Sequence, residues 1–288
     1  LSALLIVLCV FAVEMKNTEK KAYQGMSEIG EDQNTEVENK DNSQYIDMDL
    51  AKDIEAYFQE NGIDHEKVAY CITDLEHNIK YSMNEKDEFI AASIYKLPLA
   101  MLYYDKANDG EYTLDSTFTY SGYMHEDAGV ISSNYGIGSQ IPLSDLLDDL
   151  IVYSDNDAGH ILYENLGGWK EYKEAMTKYT DSISENYYTE DNVSTANTMN
   201  DVVTYLYDHK EDYKDLIENM EKSEPGEYLD RDTQLSMPQK YGMYDSALNS
   251  VGFVECNTSY SIVVLTDLGD KGADVMANIN RIAYEHFK

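Results

Sequence analysis

Two pairs of strand-like runs stand at opposite ends of this chain, and the tract between them reads as helix. "KVAYCITDLEHNIKYSMN", residues 67–84, divides at a polar turn into two runs rich in β-branched and aromatic residues. "SALNSVGFVEC" (246–256) and "SYSIVVLTDL" (259–268) do the same around the turn-forming "NT". A single two-stranded hairpin is marginal in water. The early and late pairs are therefore expected to join in one antiparallel sheet built from both ends of the chain.

Helical spacing fills the rest. "DMDLAKDIEAYFQENG" places Leu50, Ile54, Tyr57 and Phe58 on one face and stops at Gly62. "PLSDLLDDLIVYS" aligns Leu143, Leu146, Leu147, Leu150 and Ile151. "GWKEYKEAMTKY", "TANTMNDVVTYLYDH" and a short face of Leu216, Ile217 and Met220 follow, and "DVMANINRIAYEHF" closes the chain with Val275, Ile279, Ile282 and Ala283 on one stripe. The predicted class is α/β (α+β): an antiparallel sheet flanked by helices, with an inserted all-helical lobe. The sheet lobe is expected from 46–90 plus 226–288, and the helical lobe from 91–225. Clefts between lobes are where sites tend to lie, and Ser93 falls at the crossing from one to the other.

Ahead of this domain the composition changes. Residues 1–13, "LSALLIVLCVFAV", carry no charge yet fall short of the roughly 20 residues that span a bilayer, so they read as a clipped signal or anchor segment. Cys9 is a possible lipid-attachment residue, but Leu8 stands where a small residue would be needed, and a plain apolar leader is the simpler reading. The stretch from 14 to 45 is too polar to repay its ordering entropy and reads as an acidic tether. A domain held outside a membrane, secreted or tethered, is the expectation. The formal charge of −34 repels nucleic acid, whose binding is supplied mainly by Lys and Arg. Cys71 and Cys256 sit in strand-like runs where buried thiols are common, and nothing in the spacing demands a disulfide.

Chemistry concentrates in three stretches. In "AASIYKLPLA", Ser93 has a lysine three residues on, and no other serine of the chain does. Residues at i and i+3 face the same way on a helix, so Lys96 can reach the Ser93 hydroxyl. A serine is a poor nucleophile until a neighbour takes its proton, which a lysine can do when desolvation or a nearby cation lowers its pKa. The ordinary alternative is a helix cap beside a surface lysine. Pro98 deep in a helix would cost roughly 3 kcal/mol, so the regular helix is expected to begin near Lys96, after a tight turn around Ser93. "VYSDNDAG" carries Ser154, Asp155 and Asn156 at a helix junction, where a capping fragment is the ordinary alternative. "PQKYGMYDSA" carries Lys240, Tyr241 and Gly242 just before the late hairpin.

Together these three stretches resemble, in order, the S-x-x-K, S-D-N and K-T-G motifs of penicillin-recognising serine enzymes of the class A β-lactamase type. The likeness extends into the flanks, "LIVYSDNDAGHILYENLGGWKEY" among them, and covers about residues 48–288. It implies a β-lactamase/D,D-peptidase-like fold and a set of roles. Ser93 would be the nucleophile and Lys96 its base. Lys240 would supply a cation that depresses Lys96 and attracts an anionic substrate, with Tyr241 and Gly242 beside it. Ser154 would pass a proton to the leaving nitrogen, and Asn156 would hold Lys96 and the substrate amide. The N–H groups of Ser93 and Met243 would form the oxyanion hole.

Two departures from the pattern stand out. Tyr241 replaces the threonine that the family uses beside the substrate carboxylate; a tyrosine there either offers its own hydroxyl or faces the core, and strand alternation favours the core by a small margin. The E-x-x-L-N loop, whose glutamate activates the deacylating water, is absent. Glu185 and Glu190 are available in "YTDSISENYYTEDNVSTANTM", but each reads as a solvated loop acid. The absence of G-x-S-x-G, H-E-x-x-H and Cys/His pairs removes the signatures of an α/β-hydrolase triad and of a metal site. The resemblance thus implies a cofactor-free, monomeric hydrolase that opens β-lactams through an acyl-enzyme. A D,D-peptidase or penicillin-binding amidase acting on peptidoglycan peptide is the alternative within enzymes, and a non-catalytic surface protein retaining the fold is the alternative outside them.

Overall fold

The computed structural model describes residues 43–288 except 234, and residues 43–288 form one compact unit. The apolar leader with Cys9, and the tether as far as residue 42, lie outside the described residues. Helix α1 (Ser43–Asn61) ends at Gly62, whose φ of +60° supplies the left-handed residue that commonly closes a helix. Strands β1 (Val68–Asp74) and β2 (Ile79–Met83) form the early hairpin. Strands β7 (Gln239–Tyr244), β8 (Ala247–Val254) and β9 (Tyr260–Asp267) form a late meander, and helix α9 (Lys271–Phe287) closes the chain.

The expected union of the two ends is present. The sheet runs β2-β1-β9-β8-β7, antiparallel throughout, and β1 meets β9 with Val68 opposite Thr266 and Asp74 opposite Tyr260. Strands β1, β8 and β9 are covered on both faces, which explains their near-continuous apolar runs. Alternation along β1 divides the core: Val68, Tyr70 and Ile72 join Leu50, Ile54 and Phe58 of α1 and Val275 and Ile279 of α9. Ala69 and Cys71 face the other way, with Val263 and Leu265, toward α7 (Ala196–Asp208) and its Met199 and Val203. Each fully buried Ile, Leu or Phe contributes about 1.5–3 kcal/mol of transfer free energy, so both helix layers hold the sheet firmly. Cys71 and Cys256 are free thiols.

The middle of the chain supplies β3 (Phe89–Ile90), α2 (Lys96–Asn108), β4 (Thr117–Thr119), α3 (Val130–Asn134) and β5 (Gln140–Pro142). Helices α4 (Leu143–Val152), α5 (Asn156–Asn165) and α6 (Trp169–Met176) follow, then β6 (Val193–Ser194), α7 and α8 (Lys214–Glu221). The stripe read on α4 is buried throughout, Leu143 to Ile151. Two short ladders, β3 with β6 and β4 with β5, lie among these helices and had no clear sequence pattern. Strand β7 is the sheet's edge, and it borders the turn that carries Ser93.

Candidate active site

Ser93 lies in a 3-10 turn, Ala92–Tyr95, and the α-helix begins at Lys96, where the sequence placed it. Pro98 is the third residue of α2, so its missing N–H is one that a helix start leaves without an internal partner anyway. Ala92, just ahead of Ser93, has a φ of +49°, a left-handed conformation that costs a non-glycine residue about 1–3 kcal/mol and survives only where the surroundings impose it.

Three contacts impose it. Asn249 of β8, fully buried, donates from Nδ2 to the carbonyls of Ile90 at 2.8 Å and Ala91 at 3.1 Å. Asn192 donates to the Ala92 carbonyl at 2.9 Å, and the Ala91 N–H returns a bond to the Asn192 carbonyl at 2.9 Å. Gly242 of β7 presses on the turn so closely that a Cβ built there would lie 2.6 Å from the Ser93 nitrogen. The Ser93 side chain is half-exposed and makes no hydrogen bond among the described residues. The N–H of Met243 follows Gly242 along the same edge strand, with the methionine side chain outside in solvent.

Lys96 is fully buried. Its Nζ donates to the Ser154 carbonyl at 2.5 Å and to Asn156 Oδ1 at 2.7 Å, with Ser154 Oγ farther off at 3.4 Å. Burial pushes its pKa down to about 7, against the upward pull of Asp155 and Glu126. A neutral amine has two N–H groups and one lone pair. The two short bonds use both N–H groups and leave the lone pair for an incoming proton. Gly159 makes room for this packing: a Cβ there would lie 2.6 Å from the Tyr95 hydroxyl and 3.4 Å from Lys96 Cε.

Ser154 sits in the tight link between α4 and α5, with a φ of +57°. Asp155 caps α5 by accepting from Ala158 N at 2.9 Å, and it also takes Ile131 N of α3 at 3.1 Å. Asn156 opens the helix with its Oδ1 toward Lys96. Its other side-chain end is engaged by a residue the motifs did not indicate. Glu126 accepts from both Asn156 N and Asn156 Nδ2, each at 3.1 Å.

Lys240 is fully buried, donates to the Tyr241 carbonyl at 2.9 Å, and holds its ammonium 4.1 Å from the centre of the Tyr241 ring. Burial, and next to it the charge of Lys96, hold its pKa well below the ordinary lysine range, opposed by Glu224. Burial is the first cause of the lowering at both lysines, and the like charges of two buried ammonium groups oppose their simultaneous protonation.

For Tyr241 the structure corrects the favoured core reading and agrees with the alternative of an offered hydroxyl. Its ring does not enter the core. It is half-exposed, stacks on Tyr228 with centroids 4.9 Å apart, and turns its hydroxyl to Ser154. β7 is an edge strand, and at this point Tyr228 covers the face to which Tyr241 points.

Ser93, Lys96, Ser154, Asn156, Lys240, Tyr241 and Gly242 thus converge on one place, with the Met243 amide beside it. Glu185 and Glu190 do not join them: both are exposed, and the charge of Glu190 acts on Lys173, a lysine that donates to the carbonyls of Thr189 and Asp191. The carboxylates whose charge reaches Lys96 are Asp155 and Glu126. Sequence reasoning missed Glu126, Asn192 and Asn249. Of these only Asn249 left a trace, as a polar residue inside an apolar strand.

A family model described as "Beta-lactamase enzyme family" matches residues 49–287. Among solved structures, a beta-lactamase from Chitinophaga pinensis is 21% identical, with 81% of this chain and 98% of that chain covered and a TM-score of 0.68. The TLA-1 extended spectrum beta-lactamase is 20% identical over 83% of this chain and 98% of its own, with a TM-score of 0.71. A variant of PBP-A, in an acyl-enzyme complex with penicillin G, is 16% identical over 83% and 96%, also with a TM-score of 0.71. At these identities the structural likenesses speak for the fold.

Proposed function

The chain belongs to the beta-lactamase enzyme family and is a serine hydrolase of that type, and on this premise we propose that Ser93 is the residue it acylates. The observation that carries the reading is Lys96: a fully buried amine, held near neutral pKa by desolvation, one helical turn from a serine on a braced turn. In the proposed reaction Ser93 Oγ attacks the lactam carbonyl carbon as its proton passes to the Lys96 lone pair. Charge developing on the carbonyl oxygen is met by the N–H groups of Ser93 and Met243. The C–N bond then breaks, and the ring nitrogen takes a proton through the Ser154 hydroxyl, which Lys96 and Tyr241 flank. Asn156 holds the acyl-side amide of the substrate. Lys240 receives the carboxylate, an incoming anion restoring the charge that burial disfavours.

Release of the acyl group by water completes hydrolysis. The lifetime of the adduct decides between a β-lactamase and a penicillin-binding amidase acting on cell-wall peptide. PBP-A, captured as an acyl-enzyme with penicillin G, shares the fold. Time-resolved intact mass after mixing with benzylpenicillin is the test. The β-lactamase reading predicts a transient penicilloyl adduct and return to the unmodified mass with product accumulating; a stoichiometric adduct that persists through the assay assigns the amidase reading instead. We further propose that the enzyme acts as a monomer outside the cell membrane, secreted or tethered by its N-terminal segment. The apolar run of 1–13 and the acidic stretch after it support this.

A further inference from the structure

We propose that Glu126 selects acyl donors that carry a positive charge beside the amide held by Asn156. The proposal rests on the assignment of Asn156 to the substrate amide. Glu126 accepts from both the backbone and the side-chain N–H of that one residue, at 3.1 Å each, while Lys96 donates to Oδ1 at 2.7 Å. A primary amide has two N–H groups, so one is left for a substrate carbonyl. That carbonyl would then share the Asn156 nitrogen with a carboxylate, and its oxygen lone pairs would meet a negative charge. An ammonium on the carbon next to the carbonyl reverses the sign of the encounter, because it reaches the carboxylate when the carbonyl reaches Asn156. Charge-assisted hydrogen bonds of this kind are about twice as strong as neutral ones.

Glu126 is held in place, not swept there by chance. The N–H groups of His125 and Glu126 both donate to the buried Asp157 carboxylate, at 2.7 and 2.9 Å, and Tyr120 adds its hydroxyl at 3.2 Å. The Glu126 carbonyl accepts from Gly129 N at 2.9 Å and from the Ser132 hydroxyl. His125 and Ala128, on either side, have φ of +38° and +64°, conformations that cost about 1–3 kcal/mol each outside glycine. A cross-braced loop under local strain therefore delivers one carboxylate to the Asn156 end of the cleft, where its charge also acts on Lys96 and on Tyr241.

The test compares second-order acylation rates for benzylpenicillin and its α-amino derivative, followed by intact mass. Below the ordinary α-amino range of about 7.7–8.0 the amino compound is expected to react about tenfold faster, and the preference should fade as pH rises through that range. Glu126→Gln should bring the ratio close to one. The wild-type pH series tests the idea even if the variant folds poorly. Equal rates in the wild type, or a preference that survives Glu126→Gln, overturn this proposal alone. Absence of acylation by either compound overturns the acyl-enzyme reading and the proposal with it.

Discussion

Replacing Lys96 with methionine is expected to slow penicillin acylation by about 10²- to 10⁴-fold, the usual worth of general-base assistance, while leaving the melting temperature unchanged or raised. The activity loss follows from removing the group placed to take the Ser93 proton. Stability follows from the opposite side of the same burial. In the folded chain Lys96 has a pKa of about 7, against an ordinary 10.5. Between those values the unfolded chain binds a proton that the folded chain does not, so stability rises with pH across that window. The cost of burying the charge is fullest below pH about 7 and is relieved as pH climbs toward the ordinary lysine value. Methionine fills most of the volume and carries no charge, although the Ser154 carbonyl and Asn156 Oδ1 each lose a donor. The difference in melting temperature between Lys96→Met and wild type should therefore be most favourable to the variant at low pH and shrink as pH rises. Acylation by the wild type should follow the neutral amine, climbing through pH about 7 and then levelling. Full-rate labelling of Lys96→Met would make this lysine a bystander.

Gly242→Ala is expected to lower acylation by about 10²- to 10³-fold, the size of losing one oxyanion donor, and to cost about 1–3 kcal/mol of stability through overpacking. The added methyl carbon would lie 2.6 Å from the Ser93 nitrogen, 2.8 Å from the Ile94 nitrogen and 3.0 Å from the Ala91 oxygen. All three are backbone atoms, so no side chain can swing away. Either β7 moves out or the Ser93 turn moves in, and both separate the Ser93 and Met243 amides from the position they need to share. Gly136→Ala is the matched control: a Cβ there meets nothing within 4 Å, and both rate and melting temperature should hold. An unchanged acylation rate in Gly242→Ala would show that the edge strand does not contribute to the site.

The parts of this molecule that were legible in the sequence are those encoded over short range or by period. The β-branched and apolar runs of β1, β8 and β9 and the stripe on α4 carry the core directly, and the marginal stability of a lone hairpin argues that the early and late pairs join, which they do through β1 and β9. Ser93 and Lys96 are one turn apart, and Pro98 marks where the helix can start, so their relation needs no tertiary knowledge. What supports them comes from far along the chain. Asn249 braces the Ser93 turn across more than 150 positions, Asn192 across about 100, and Glu126 reaches Asn156 across 30, and no spacing rule connects such pairs. Tyr241 was misread because alternation assigns a strand residue to a face without saying what covers that face. At the sheet edge it is Tyr228, with Lys240 above the ring and not an apolar layer.

Fragmentation mass spectrometry of the protein quenched during reaction with benzylpenicillin locates the attached acyl group. The account predicts one penicilloyl group per chain, on Ser93, and none in Ser93→Ala. Attachment at any other residue, or an adduct that persists in Ser93→Ala, would contradict it.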